Sequence, residues 1–239
     1  MSKRSTRWLT TIGLALVHLC VPLAAEEPKT ATQLLAEKGI DTSNAGLLQA
    51  AEGHADHRIR IMAAVELSGR GFVEAAPTIA RLFAAEREEW ARILLADALA
   101  HLGDSRGEAF LKRLCDSSTD ASVRYDAADR LLRLRSAYGL KAVIELARSE
   151  GAVREAALMK LVDFASLPAL DVHKQIVPVL SGALSAPSAR KAASQALALL
   201  GDPAGISPLE AAVAAEQDTG RREFMEAQLR ILRSRQGPS

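Results

Sequence analysis

His54, Asp56 and His57 fall within four consecutive positions, and side chains of these types at this spacing are the chain's nearest approach to a transition-metal site. A metal centre needs three or four ligands, and His101 and His173 are far along the chain with no aligned acidic companion, so an exposed turn is expected here and no metal. A second series of reactive groups is periodic: Arg60, Arg92, Arg124, Arg154, Arg190 and Arg222 recur at spacings of 32, 32, 30, 36 and 32 residues. Six guanidinium groups in register could form an anion-binding track or could brace a repeated fold. No Gly-rich phosphate loop and no Ser, His and acid constellation is present, so no nucleophilic or nucleotide chemistry and no cofactor is expected.

The elements that hold these groups are legible from the positions around each arginine. Three residues on stand Ala63, Leu95, Ala127, Ala157, Ala193 and Met225; seven on, every copy has leucine: Leu67, Leu99, Leu131, Leu161, Leu197 and Leu229. With Leu102, Leu134, Phe164, Leu200 and Leu232 at offset ten, these positions trace one face of a helix. Gly71, Gly103 and Gly201 at offset eleven end that helix, and Asp104 and Asp202 follow two of them to open a second, with Pro203 in its first turn. Ser105 and Glu108 have the spacing of a capping box. Small residues at offset fifteen, Ala75, Gly107, Gly139 and Gly205, predict close approach between helices. Offset nineteen (Ile79, Leu111, Val143, Leu209) and offset twenty-two (Leu82, Leu114, Leu146, Ala212) form a second buried face.

The fourth copy is four residues longer, and an insertion around Ser166 to Ala169 brings Val177 and Leu180 into register. Counting back 32 from Arg60 gives an N-terminal copy with Ala31, Leu35, Gly39, Leu47 and Ala50 in the same places, while the copy begun by Arg222 has room for one helix. The fold class is therefore all-α: an α-solenoid of about six and a half helical hairpins over residues 26–239, each hairpin completing its neighbour's core.

The run Arg92, Leu95, Leu99, Leu102-Gly103-Asp104, repeated as Arg190, Ala193, Leu197, Leu200-Gly201-Asp202, resembles the short HEAT-like repeat of the phycobilisome-lyase type. The resemblance implies that the arginines brace adjacent units by pairing with acidic groups or carbonyls, with Asp104, Asp120, Asp202 and Asp218 in the turns where such partners are needed, and that second helices line a concave surface. It carries an enzymatic alternative, a lyase-related enzyme or enzyme subunit. Dinuclear-iron hydroxylases on such repeats carry recurrent His-Glu pairs, whereas here the histidines are followed by Ala55, Arg58, Leu102 and Lys174.

Residues 1–25 have the three parts of a secretory signal: Lys3, Arg4 and Arg7, a mostly apolar stretch from Trp8 to Val21, and Ala24-Ala25 before Glu26. A retained membrane anchor is the alternative; lipidation of Cys20 is disfavoured by Leu19 before it. Cleavage after Ala25 removes three basic residues and no acidic one, leaving 27 positive against 29 negative charges, so no nucleic-acid partner is expected. Cys115 is then the sole cysteine, expected as a buried apolar residue. The sequence thus predicts a periplasmic or secreted, non-enzymatic scaffold that binds a protein or peptide and has no stable membrane insertion after cleavage. Its binding surface is placed on the outward positions of the second helices, at Arg81, Lys112, Arg113, Lys141 and Arg148, diluted by Asp116 and Glu145 and giving way to Val179, Ala211 and Ala214 in later copies. An acidic segment with an apolar end would suit it.

Overall fold

The computed structural model describes residues 29–165 and 172–236, so the expected signal segment and the insertion around Ser166 lie outside the described residues. Thirteen α-helices occur among them: α1 (Ala31–Glu37), α2 (Asn44–Gly53), α3 (His57–Gly69), α4 (Ala76–Ala85), α5 (Glu89–His101), α6 (Ser105–Ser117), α7 (Ala121–Arg133), α8 (Ala137–Arg148), α9 (Arg154–Phe164), α10 (Val172–Ala183), α11 (Arg190–Leu200), α12 (Ile206–Ala215) and α13 (Thr219–Ser234). Odd-numbered helices are the first of each hairpin and even-numbered ones the second. Every second helix also packs against the first helix of the next hairpin, so the units form one consecutive stack. The architecture is an α-solenoid of consecutive helical hairpins, as the periodicity predicts.

The leucines at offset seven form its axis: Leu35, Leu67, Leu99, Leu131, Leu161 and Leu197 have no exposed surface, and Leu229, in the last helix, is 7% exposed. Offset nineteen is buried in the same way at Leu47, Ile79, Leu111, Val143, Val177 and Leu209. Burying each of these side chains contributes roughly 1.5–3 kcal/mol. No single hairpin has two faces' worth of partners; the stack supplies them.

Helix endings repeat too, except after α9, where Ala165 stays right-handed. At Gly39, Gly71 and Gly103 the backbone turns left-handed, with φ of 76°, 67° and 83°. At Gly103 the amide donates to the Ala100 carbonyl, and the next amide, Asp104, donates to the Leu99 carbonyl, satisfying two carbonyls the helix leaves open. Arg135 occupies the same position after α7 with φ of 57°, a conformation that costs a residue bearing Cβ. The expected capping box at Ser105 and Glu108 is not formed. Asp104 caps α6, accepting from the Arg106 amide, because its carboxylate already sits one residue earlier; Ser105 is the first helical residue, and Glu108 bonds Lys112 and Ser136 instead. A complete box closes α1, between Thr30 and Gln33.

Glycine at offset fifteen decides how tightly a hairpin closes. A Cβ on Gly107 would lie 2.1 Å from the Ala96 carbonyl oxygen, and one on Gly139 would lie 2.9 Å from that of Ala128, so α5–α6 and α7–α8 approach backbone to backbone. One expected surface position is corrected here. Val179 is buried, because α10 is wedged among α8, α9 and α11 and buries a wide stripe from Val172 to Ala183, while Ala211 and Ala214 on α12 are exposed as expected.

Candidate protein-interaction surface

The anchor arginines are structural, and of the two expected kinds of partner it is carbonyls that most of them take. Arg60 donates to the carbonyls of His54 (2.6 Å) and Ala55 (3.1 Å), Arg124 to that of Ser118 (3.4 Å), Arg154 to that of Ala147 (3.3 Å), Arg190 to that of Leu184 (2.9 Å) and Arg222 to that of Glu216 (3.5 Å). Each guanidinium thus closes the C-terminal end of the preceding second helix, where unpaired carbonyls and the helix dipole favour a cation. The turn aspartates are consumed as helix N-caps: Asp104, Asp120, Asp202 and Asp218 accept from the amides of Arg106, Ser122, Ala204 and Arg221. Arg92 departs from the pattern. Its guanidinium lies 4.7 Å from the centre of the Phe110 ring and 5.6 Å from that of Phe83, two rings in edge contact at 5.2 Å that join α4 to α6. One carboxylate does join the ladder. Glu216 is buried and takes Arg190 at 2.7 Å and Arg221 at 3.1 Å, and bonds from Arg221, Arg190 and the Asp218 amide lower its carboxyl to about 2.

His54 and His57 do not converge. His54 accepts the Asp56 amide on its Nδ1 (2.9 Å), and His57 pairs with Glu86 at the end of α4. Among the described residues, no group of three or more His, Cys, Asp and Glu side chains is placed to hold a metal. Cys115 is buried, its thiol pushed up to about 12 by burial and then by Asp116.

Of the five basic residues assigned to the second-helix face, Arg81, Arg113, Lys141 and Arg148 are exposed and Lys112 is half-buried. Three belong to one cluster with a side chain that sequence reasoning missed. Tyr138, in the first turn of α8, lies with its ring 5.6 Å from the Lys112 ammonium and 5.6 Å from that of Lys141, and its hydroxyl donates to Asp116 on α6. That bond raises the phenol to about 12, so the ring stays neutral between two cations. Arg113, one residue beyond Lys112, stacks on Phe110 at 5.2 Å. Local acids temper the charge: Lys112 lies 2.9 Å from Glu108 and Lys141 4.0 Å from Glu145. Bonds from Lys112 and then Ser136 hold the Glu108 carboxyl below its usual range. Arg81 stands apart on α4, 3.5 Å from Glu52 and donating to Thr78 at 3.2 Å. Arg148 ends α8 without an ion pair among the described residues. The readable signal for Tyr138 was its place directly before Gly139, the residue that closes α8 onto α7.

Sequence reasoning also missed a ladder along the first helices. Arg130 on α7 meets Asp97 on α5 at 2.8 Å, and Lys160 on α9 meets Asp129 on α7 at 2.9 Å. Acid at offset five and base at offset six of the next copy was the readable pattern.

Residues 44–132, from α2 into α7, match the family of HEAT repeats. No curated protein matches the chain. HEAT repeats are in general protein-interaction scaffolds, and a surface made of repeated helices with shallow side-chain clusters fits that class. Among the described residues, no helix is long and apolar enough to cross a membrane.

Proposed function

We propose that the chain is an exported, non-enzymatic scaffold that holds an acidic protein segment with an apolar end on its second-helix face. The observation that carries this reading is the cluster at α6–α8, where Lys112 and Lys141 flank the neutral ring of Tyr138 and Arg113 stands beside them. A carboxylate of the partner would meet two ammonium groups there, and an apolar neighbour would meet an aromatic ring. Arg81 and Arg148 extend the positive face toward α4 and toward the end of α8. The alternative, a lyase-related enzyme or enzyme subunit, rests on the likeness of the short Arg, Ala, Leu, Leu-Gly-Asp repeat to the lyase-type variety.

The test is charge reversal. The triple variant Arg81→Glu, Arg113→Glu, Lys141→Glu should bind a peptide of glutamates ending in leucines about tenfold more weakly at low salt, with unchanged helical circular dichroism. Equal affinity would place the binding surface elsewhere. Export rests on residues 1–25: expression of the full chain in a bacterium should give a mature N-terminus at Glu26 by terminal sequencing, and Ala25→Leu should block processing. A retained Met1 in the cytosol would remove the periplasmic or secreted location.

A further inference from the structure

Two residues before the anchor arginine, successive first helices carry Arg58, Trp90 and Ser122. Trp90 is 46% exposed, and its indole N–H donates to the carboxylate of Glu88, which fixes the ring on the surface. It forms a ridge between two depressions. On the α3 side is a cavity of about 380 Å³ walled by Ile61, Met62, Val65 and Leu94, with Arg58 at its edge. On the α7 side is one of about 350 Å³ floored by Ile93 and Val123, with Glu89 and Asp126 at its edge. Arg58 and Glu89 are exposed and in no ion pair among the described residues, so the patch has an open positive end and an open negative end.

We infer that this first-helix face is a second docking surface, for an amphipathic segment of another protein that straddles Trp90, sets one apolar side chain in each depression, and lays its acidic end over Arg58 and its basic end over Glu89. Exposed tryptophan beside apolar hollows is the composition of an interface centre, and opposed charges at the two ends fix direction. A second copy of this chain fits badly. A two-fold axis through Trp90 sets ridge on ridge and leaves both hollows empty. The surface lies on the helices opposite in the hairpins to Lys112 and Lys141, so it is independent of the reading above.

The chain has two tryptophans, Trp8 and Trp90, so full-length protein carrying Trp8→Phe reports on this patch alone. The probes are three tryptophan-free peptides with the same pair of leucines one and a half to two helical turns apart: one with glutamates at one end and lysines at the other, one all-glutamate, one all-lysine. The mixed peptide should shift Trp90 emission to the blue and bind about tenfold more tightly than either uniform one. Arg58→Glu should transfer the preference to the all-lysine peptide without changing thermal unfolding, and Trp90→Ala should abolish binding of the labelled mixed peptide. Equal affinities, or no shift with any peptide, overturn the inference. A blue shift that grows with protein concentration alone assigns the face to a second copy, and a red shift on deleting residues 1–25 assigns it to the chain's own N-terminal segment; either result also overturns it.

Discussion

Replacing Gly107 by alanine should destabilise the protein, although alanine is the better helix former. Within a helix the exchange gains about 0.5–1 kcal/mol. At this position the new Cβ would stand 2.1 Å from the Ala96 oxygen, 2.7 Å from the Ala100 nitrogen and 3.0 Å from the Leu99 Cβ. Two of the three atoms are backbone of α5, so no rotamer relieves the overlap, and α5 and α6 must part by roughly 1 Å along a seam that buries Leu99, Phe110 and Leu111. Overpacking of this kind costs about 1–3 kcal/mol or more, which leaves a net loss of about 1–2 kcal/mol. Gly139→Ala, with backbone contacts of 2.9 and 3.1 Å, should lose less. Gly182→Ala, in the last turn of α10 with nothing within 4 Å, should be neutral or gain about 0.5 kcal/mol. Urea denaturation followed by circular dichroism measures all three, with an unchanged slope showing that the denatured state is not the cause. If Gly107→Ala is as stable as wild type, or if all three variants move in one direction, close backbone approach is not what requires glycine at offset fifteen.

The leucine axis should be graded by position: Leu131→Ala, with neighbours on both sides, should lose about 2–5 kcal/mol, and Leu229→Ala in the terminal helix less, so equal urea midpoints would contradict the stack. Arg135→Gly should raise the melting temperature, gaining about 1 kcal/mol, since glycine adopts the left-handed conformation without a Cβ penalty. Glu216 has a folded value of about 2, below its ordinary value of 4.5, so its contribution is complete above about pH 5 and is lost as the pH falls toward 2. The difference in urea midpoint between wild type and Glu216→Gln should accordingly be largest at neutral pH and shrink on acidification; a difference independent of pH would separate the buried carboxylate from the arginines that lower it.

Sequence periodicity determined the helices, the hairpins and the core, because burial in a stack of like units imposes the same demand at the same offset: leucine at seven, an apolar residue at nineteen, a left-handed residue at eleven. Those demands act on residue type, and type is what a sequence records. Arg135 obeyed the backbone requirement without the glycine that announces it, and only its φ revealed the fact. Exposure of Arg81, Arg113, Lys141 and Arg148 followed from the same period. Tertiary structure decided which partner each polar group took. Whether Arg92 met a carbonyl or two phenylalanine rings and whether Lys112 and Lys141 shared a ring at Tyr138 depended on distances between different helices. Val179 shows the same limit on the apolar side, since packing of α10 among three neighbours buried a position that the period placed outside. Burial is set by local period and repeats with it, whereas hydrogen bonds and ion pairs are short-ranged and directional, and change when neighbouring helices shift by an ångström.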